Sequence, residues 1–449
     1  MKKIFQYIML AVVTIVMASC TSDIEETTAT TGKNNVQLVV GEFPAFGDSQ
    51  TRAIGTPDEG KTSWAEGDEL LLEIDNTSYG RHNATFTYNG SSWELTSGEL
   101  VYLEGDPAYI SHVYYAPNYK WEAGKLVLKE GKDPGTDEYI EGNARITGNG
   151  ETITVSFAEA TRKYSRLRIA TLPNEQITVD TEYFTPAGSS DMEQNGNYTL
   201  TSDEKGNAYL YGTFENNSEV TVKYREAALT TYTFSQATES AKSYALDATV
   251  ISANSAEEIK SAIEQKVADG KTTIRLNLAP NAGTNEFMAI REAIKGAAPN
   301  DLGTIELTII GVETIPEEAF YKMLQLKSVR MSDVKEIKKY AFKECQYLTV
   351  VEAPSLNKLY SGAFKKCDQL SKLTFGPINY ADARNWPIFE YITPNIDLIL
   401  SDYQKEMIET DSYLYTANND RDYAGSDEHN SKNFLGREFR SITCRYKVK

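Results

Sequence analysis

Two cysteines are the first candidates for chemistry, because they recur in matching segments of the sequence. Cys345 lies in AFKECQYL and Cys367 lies in AFKKCDQL, 22 residues further on. Neither belongs to a CxxC pair, so a zinc site or redox motif of that kind has no support. When the sequence is aligned at this 22-residue spacing, Met323 and Phe389 take the same position as the two cysteines. The position therefore favours apolar side chains, and free cysteine behaves as a hydrophobe in such a place. A disulfide stays open, because stacked repeats could bring the two sulfur atoms together.

The other chemistry-bearing residues form no catalytic pattern. His82, His112 and His429 are scattered without an HExxH spacing, and the chain has no P-loop, G-x-G-x-x-G or G-x-S-x-G motif. The acidic run NNDRDYAGSDE at 418–428 is similar to a calcium loop, but its glycine and last glutamate are misplaced, which favours a solvated loop. The sequence therefore predicts a protein that is not an enzyme and that has no metal and no cofactor.

Composition narrows the class of protein further. The 449-residue chain has 45 Lys and Arg against 64 Asp and Glu, and its net charge of −19 argues against a nucleic-acid partner, because phosphate binding needs a basic surface. The length exceeds what one hydrophobic core supports, so several domains are expected. Four cysteines are too few for a disulfide framework. The 28 tyrosines are typical of β-sandwiches with half-exposed aromatic faces.

The first residues are predicted to direct export. Lys2 and Lys3 precede an apolar run at 8–18, which is too short to cross a bilayer and has the length of a signal-peptide core. Small residues then lead directly to Cys20. This arrangement resembles a lipoprotein signal peptide at 1–19, which implies that Cys20 is acylated, with palmitate for example, and becomes the mature N-terminus. An ordinary signal peptide followed by a chance cysteine is the alternative.

The next segment, 20–35, is polar and rich in threonine, so we expect a disordered tether. Its acidic residues Asp23, Glu25 and Glu26 resemble the acid-rich signal that sends lipoproteins of Bacteroidota-type bacteria to the outer face of the outer membrane. The resemblance implies a protein held at the outer membrane by its lipid anchor only and facing the cell exterior.

Short strands and turn residues alternate from residue 36 to residue 245, as in VQLVV, DELLLEI and ATFTYNGSSWEL. In the last of these an Asn-Gly pair separates two alternating runs, which is the signature of a β-hairpin. Many short strands at this spacing predict β-sandwiches. The length favours two of them in tandem, at 36–145 and 146–245.

The order of motifs in this region resembles that of fimbrillin-like lipoproteins. SQTRAIGTPDEGKTSWAEGDELLLEID is similar to the opening of that family, and ITVSFAEATRKYSRLRIATLP is similar to the start of its second sandwich. The resemblance implies a pilus subunit or a relative. In polymerising members a protease cuts after an arginine, the first strand leaves, and a neighbour's strand takes its place.

Arg52 stands where that proteolytic cut would fall, with a plain loop arginine as the alternative. The family's donor strand lies at the C-terminus of the fimbrillin domain. Here that end continues into a further region of about two hundred residues. A tip-like or stand-alone protein therefore fits better than a polymerising shaft subunit.

Helix signals begin the second half of the chain. SAEEIKSAIEQKVADG predicts a helix over 255–270, with Ser255 and Glu258 as a capping box. A second helix is predicted at about 285–296, and TTIRLNL and TIELTII are predicted strands. Alternation of this kind suits the beginning of a repeat stack, so 246–303 is predicted to be an α/β N-terminal cap.

A period of 22 residues follows. A degenerate fourth unit places Trp386, Phe389 and Ile392 in the Phe, Cys and Leu columns. The pattern predicts an α/β leucine-rich repeat solenoid over 304–392 and a C-terminal cap over 393–449, behind the tandem β-sandwiches. The seven apolar columns are Leu307/Val329/Val351/Leu373, Ile309/Met331/Ala353/Phe375, Ile315/Ile337/Leu359, Ala319/Ala341/Ala363, Phe320/Phe342/Phe364, Met323/Cys345/Cys367 and Leu326/Leu348/Leu370.

The repeat I-x-x-x-AF-x-x-C-x-x-L resembles the BspA-type leucine-rich repeats of bacterial surface antigens. That family implies adhesion through the exposed face of the stacked strands. The leading hypothesis is a lipid-anchored cell-surface adhesion protein that presents the repeats on a fimbrillin-like stalk to a host, matrix or bacterial surface protein or glycan. Two alternatives stay open: an accessory or tip subunit of a fimbria assembled by strand exchange with fimbrial subunits, and a glycan-capture surface lipoprotein.

Overall fold

The computed structural model describes residues 25–27, 36–48, 60–76, 80–100, 108–143, 145–148, 153–157, 162–225, 227–253, 255–382, 388–392, 395–401, 433–435 and 437–446. Cys20, Arg52, His429, the signal peptide and the acidic run at 418–428 lie outside them. The described chain is rich in β-strands, with few helices. None of the helices in those ranges is long and apolar enough to cross a bilayer. The chain forms two compact units, 1–222 with 230–248 and 223–229 with 249–449.

The strands as far as residue 247 form several sheets, as β-sandwich-like domains would. In chain order the strands are β1 (Glu25–Thr27), β2 (Val36–Val40), β3 (Gly47–Asp48), β4 (Glu69–Asn76), β5 (Gly80–Tyr88), β6 (Trp93–Gly98), β7 (Ala108–Tyr115), β8 (Tyr119–Glu122), β9 (Lys125–Leu128), β10 (Ile140–Asn143), β11 (Arg145–Gly148), β12 (Ile153–Phe157), β13 (Ser165–Ala170), β14 (Gln176–Pro186), β15 (Glu193–Thr201), β16 (Asn207–Phe214), β17 (Glu219–Tyr224), β18 (Ala227–Thr233) and β19 (Lys242–Asp247). The sheets run β1-β2-β12-β11, β10-β7-β4-β5-β6 and β18-β17-β14-β16-β13-β19-β3; β15 pairs with β14, and β8 pairs with β9.

Strand β2 joins parts of the chain that the sequence assigns to different sandwiches. It pairs in parallel with β12, from Val36 opposite Ile153 to Val40 opposite Phe157. The predicted boundary at 145/146 falls within β11, and strands from both sides of it share this sheet. Sequence periodicity indicates where strands occur, but it does not indicate which distant strand each one joins. On its other edge β2 pairs with β1, so Glu25–Thr27 form a strand where a disordered tether is expected.

The Trp-x-x-Gly-Asp motif ties the segment after β2 to the five-stranded sheet. Trp64 packs edge-to-face on Phe43, Trp93 and Tyr115, with ring centroids 4.9, 5.2 and 5.2 Å apart. Its indole nitrogen donates a hydrogen bond to the carbonyl oxygen of Gly41 at 2.8 Å. Trp64 is half-buried against the core, and because its N–H has an acceptor, the ring packs there without an unpaired donor.

A buried charge network holds the same segment from another side. The guanidinium carbons of Arg162 and Arg166 lie 3.9 and 4.5 Å from the ring centre of Phe46. Arg162 pairs with Glu138 at 2.9 Å, with both side chains almost fully buried. Tyr164 donates its hydroxyl proton to Glu138 at 2.9 Å. Losing one member of such a pair leaves an uncompensated buried charge, which is strongly destabilising.

The second half of the chain begins with alternating helices and strands, as the sequence predicts. Helix α1 begins after Ser255, whose hydroxyl accepts a hydrogen bond from the backbone N–H of Glu258 at 3.3 Å. The elements are β20 (Ile251–Ala253), α1 (Ala256–Ala268), β21 (Thr273–Leu278), α2 (Thr284–Ala297), β22 (Ile305–Ile310), β23 (Thr314–Ile315), β24 (Leu326–Arg330), β25 (Glu336–Ile337), β26 (Val350–Ala353), β27 (Lys358–Tyr360), β28 (Lys372–Phe375), β29 (Tyr380–Asp382), β30 (Asp397–Ser401), β31 (Asn433–Phe434), β32 (Arg437–Glu438) and β33 (Ser441–Tyr446).

Two parallel ladders connect successive repeats. The first sheet runs β20-β21-β22-β24-β26-β28-β30-β33, and the second runs β23-β25-β27-β29. In the first, Val329 pairs with Leu307 on one side and with Val351 on the other. In the second, Ile337 pairs with Ile315 and with Leu359. Columns of the predicted period are therefore strand partners in register.

The turns that follow the short strands are joined by a third set of backbone hydrogen bonds. The N–H of Phe320 donates to Ala341 O at 2.8 Å, and the N–H of Phe342 donates to Ala363 O at 2.8 Å. Two positions in each turn have a left-handed backbone. They are Glu318, Tyr340 and Gly362 in one column and Lys322, Glu344 and Lys366 in the other, with φ between +55 and +62°.

Stacked phenylalanines fill the core beside these turns. Ring centroids of Phe320 and Phe342 are 5.1 Å apart, those of Phe342 and Phe364 are 5.3 Å apart, and those of Phe364 and Phe389 are 5.8 Å apart. Phe287 of α2 closes one end edge-to-face at 5.6 Å, and Phe439 closes the other at 5.5 Å.

The fourth repeat departs from the period, and the predicted Cys column for Phe389 is wrong; Trp386 lies outside the described residues. Phe389 continues the Phe column, where Trp386 is expected, and the N–H of Phe364 donates to Ile388 O at 3.0 Å. Lys372 of β28 pairs with Asp397, three residues later than a 22-residue step. The chain between β29 and Ile388 is longer than in the preceding repeats. A constant spacing of 22 residues therefore assigns Phe389 to the Cys column.

Replacing Phe342 by alanine is expected to lower the free energy of unfolding by about 3–5 kcal/mol, because the ring is fully buried between two stacked neighbours. Urea denaturation followed by circular dichroism measures the change. Gln346→Ala, at an exposed position in the same repeat, is the control and should change stability by less than about 0.5 kcal/mol. A loss below about 1 kcal/mol for Phe342→Ala would contradict the stacked column.

Candidate binding surface of the repeat region

The repeat strands β24, β26 and β28 of the first ladder expose alternate side chains. Val329, Val351 and Leu373 point into the core and are fully buried. A strand turns successive side chains to opposite faces, so the residues between the buried ones form an outer row on each strand. These outer residues are Ser328 and Arg330 on β24, Val350 and Glu352 on β26, and Lys372 and Thr374 on β28.

Ion pairs connect neighbouring strands across this face. Arg330 Nε lies 2.9 Å from a carboxylate oxygen of Glu352, and Lys372 Nζ lies 4.0 Å from the other oxygen. Lys327 reaches Glu306 of the preceding strand at 2.7 Å. Exposed pairs of this kind contribute little to stability. Their charges of both signs remain accessible to a partner.

The far edge of the same ladder carries a stronger pair. Arg440 binds both carboxylate oxygens of Asp397, and the Ser441 hydroxyl donates to one of them at 2.7 Å. The hydrogen bonds from Arg440 and Ser441 lower the pKa of Asp397 to about 2. Asp397 is therefore anionic at neutral pH.

The second ladder exposes a compact polar cluster. Tyr360 donates its hydroxyl proton to a carboxylate oxygen of Glu336 at 2.6 Å, and Lys338 Nζ lies 2.9 Å from the same oxygen. The hydrogen bond to Glu336 raises the pKa of Tyr360. The Lys338 ammonium also sits 4.7 Å from the Tyr360 ring centre. The three side chains are therefore bound to one another by a hydrogen bond, an ion pair and a cation–π contact.

The paired cysteines are structural, and neither forms a disulfide. Both are fully buried. The thiol of Cys345 donates to Phe320 O at 3.0 Å, and that of Cys367 donates to Phe342 O at 3.1 Å. Burial raises the pKa of Cys345 to about 12 and raises that of Cys367 well above its ordinary value. Each thiol is thus an apolar filler that also donates a hydrogen bond to the preceding repeat.

The two histidines among the described residues lie on strands of the five-stranded sheet. His82 lies on β5 and His112 lies on β7, opposite Ile74 and Glu73 of β4. Across the described ranges, no group of three or more His, Cys, Asp or Glu side chains could hold a metal ion. Cys20, proposed as the lipid site, and Arg52, proposed as the processing site, lie outside the described residues.

Comparison with known proteins identifies the repeats. Residues 302–410 match the BspA type leucine-rich repeat region in six copies. No curated protein matches the sequence.

Two solved structures are similar to parts of the chain. A cell adhesion protein from Bacteroides fragilis NCTC 9343 is 9% identical with a TM-score of 0.29, over 51% of this chain and 93% of that one. A minor pilin of Streptococcus agalactiae is 11% identical with a TM-score of 0.19, over 48% of this chain and 94% of that one. Both TM-scores are below 0.5, so neither likeness carries a conclusion about this chain.

One group of surface residues, most of them half-buried, is not predicted by the apolar columns. The turn residues Tyr321, Lys322, Lys339, Tyr340 and Lys343 gather beside one another in the structure. Their positions lie between the apolar columns, where residue type varies from repeat to repeat. The local excess of lysine was the available signal.

Iodoacetamide at about pH 8 is expected to leave Cys345 and Cys367 unmodified in the folded protein and to modify both in guanidinium chloride. Only the thiolate reacts, and a pKa of about 12 leaves on the order of one Cys345 in ten thousand ionised. Cys444, which is partly exposed, is the internal control and should react without denaturant. Mass spectrometry reads the sites, and modification of Cys345 as fast as Cys444 would disprove the buried-thiol assignment.

Proposed function

We propose that this protein is a lipid-anchored cell-surface adhesion protein. The observation that carries the proposal is the first ladder, whose outer rows repeat in register through a BspA-type leucine-rich repeat region. The repeats would stack as a solenoid that follows fimbrillin-like sandwiches in the sequence. Acylated Cys20 would hold the chain at the outer membrane, facing the cell exterior.

The outer rows suit recognition of another macromolecule. Arg330, Glu352 and Lys372 offer both signs of charge, while Val350 and Thr374 supply small apolar and hydroxyl contacts. An extended rigid sheet of this kind binds through many contacts, with a few anchors carrying most of the free energy. A surface protein of a host cell, of matrix or of another bacterium is the partner we propose for it. Catalysis and nucleic-acid binding are not part of the proposal.

The double variant Arg330→Glu with Lys372→Glu is expected to reduce adhesion about tenfold or more, because it reverses two charges of the outer rows, on either side of Glu352. Beads coated with the full chain are counted on fixed epithelial cells, before and after trypsin treatment of those cells. The control, Lys335→Glu with Lys358→Glu, makes the same charge change at exposed positions off the first ladder. Equal adhesion by all three proteins would reject the first ladder as the binding face.

A role in a strand-exchanged fimbria is the second candidate, and strand β2 favours it. Leu38 and Val40 of β2 are buried in the same core as Leu70, Phe86 and Val113. The strand also lies upstream of Arg52. A cut at Arg52 would separate β2 from the rest of the chain. Its release would leave an apolar groove along β12 that another strand could fill.

If the chain is processed in this way, N-terminal sequencing of the native protein should give Ala53, and Arg52→Ala should abolish that start. The unprocessed protein should begin at Cys20 with a blocked N-terminus. SDS-resistant ladders on gels would accompany cutting, because a donated strand completes the core of its neighbour. A blocked start at Cys20 in all material, with no ladders, would exclude this second candidate.

A further inference from the structure

Two neighbouring turns carry an alternating row of lysine and tyrosine side chains. Lys343 Nζ lies 5.0 Å from the ring centre of Tyr321 and 4.8 Å from that of Tyr340. Lys322 Nζ lies 5.1 Å from the Tyr321 ring, and Lys339 Nζ lies 4.8 Å from the Tyr340 ring. We call these five residues the turn surface.

The lysine side chains of the turn surface are more restrained than exposed lysines usually are. The backbone N–H of Lys322 donates to Lys343 O at 2.9 Å, which fixes the two turns relative to each other. Each ammonium rests against at least one tyrosine ring, an attraction of about 0.5–1 kcal/mol at an exposed site. Long side chains that are already ordered lose less entropy when a ligand binds.

This part of the chain is basic, although the whole chain is acidic. Residues 319–372 contain eleven Lys and Arg against five Asp and Glu, in a protein with a net charge of −19. A hydrogen bond with Tyr321 raises the pKa of Lys322, so its ammonium is charged at neutral pH. The acidic side chain beside these lysines is Glu344, whose oxygens lie 3.6 Å from Lys322 Nζ and 4.0 Å from Lys343 Nζ.

We propose that the turn surface binds a linear acidic polysaccharide, one that carries sulfate or carboxylate groups. The three ammonium groups match its anions, and the tyrosine rings match the apolar faces of its sugars. The Glu344 carboxylate accepts hydrogen bonds from sugar hydroxyls. The proposal does not depend on adhesion through the first ladder, because it uses different residues of the repeat.

Nucleic acid fits the same residues less well. A phosphodiester backbone offers no hydroxyl donors for Glu344 in DNA. DNA also carries a denser charge, which the net charge of −19 repels. An acidic polysaccharide satisfies all three kinds of side chain at once.

The experiment measures binding of the full chain to chondroitin sulfate by biolayer interferometry at about 0.15 M salt. Neutral dextran and single-stranded DNA are the comparison ligands. The triple variant Lys322→Gln, Lys339→Gln, Lys343→Gln is expected to weaken chondroitin sulfate binding about tenfold or more and to reduce its salt dependence. The matched control removes the same charge elsewhere, through Lys129→Gln, Lys260→Gln and Lys335→Gln, which all lie in ion pairs off the turn surface and off the first ladder.

Binding that survives in the control and is lost in the triple variant supports the proposal. Three results overturn it: no binding of chondroitin sulfate by the unaltered chain, equal losses in both variants, or DNA binding of the same strength and the same dependence on the triple variant. Circular dichroism confirms that both variants are folded. On epithelial cells from which chondroitinase has removed chondroitin sulfate, adhesion by the triple variant should equal that of the unaltered chain, which separates this result from the fate of the first ladder.

Discussion

The constraint on which the repeat region depends is a shared register. A repeat meets the next one through the first ladder, the second ladder and the turns. All three connections keep the same step of 22 residues from Glu306 in β22 to β28. A residue inserted within a repeat would move at least one of these three connections out of register with the other two. The fourth repeat shows how an addition is tolerated. Its extra residues enter after β29, where the second ladder ends, and before Ile388, where the turn bonds resume.

The shared register explains why the turns adopt an unfavourable left-handed backbone conformation. Each turn holds two left-handed residues, and most of them are not glycine, at a cost of roughly 1–2 kcal/mol each. In return the turn N–H groups reach the carbonyl groups of the next repeat. The Phe column and the buried thiols then fill the space that the turns enclose. Cysteine suits this place better than a pure hydrocarbon, because its S–H also meets a carbonyl group that the turn leaves inside.

Local and periodic features were predictable from the sequence, whereas non-local ones were not. The apolar columns from Leu307 to Leu373 are strand partners, and the capped helix at Ser255 begins where its signals place it. The partnership of β2 with β12 links residues more than a hundred positions apart, and no periodicity encodes it. The shifted position of Phe389 becomes visible only through its ring contact with Phe364. The contact between Lys343 and Tyr321 likewise arises because two turns are adjacent in space, which the spacing of residues along the sequence does not reveal.

The pairing of each repeat with only its neighbours has a mechanical consequence. A pull on the chain concentrates load on the outermost strand of the ladder, because inner strands are hydrogen-bonded on both sides. Repeats should then detach one after another from the loaded end. Each detachment frees 22 residues, roughly 75 Å of extended chain. Under shear, the region would lengthen in discrete steps and dissipate work at each one, which limits the peak force on whatever it holds.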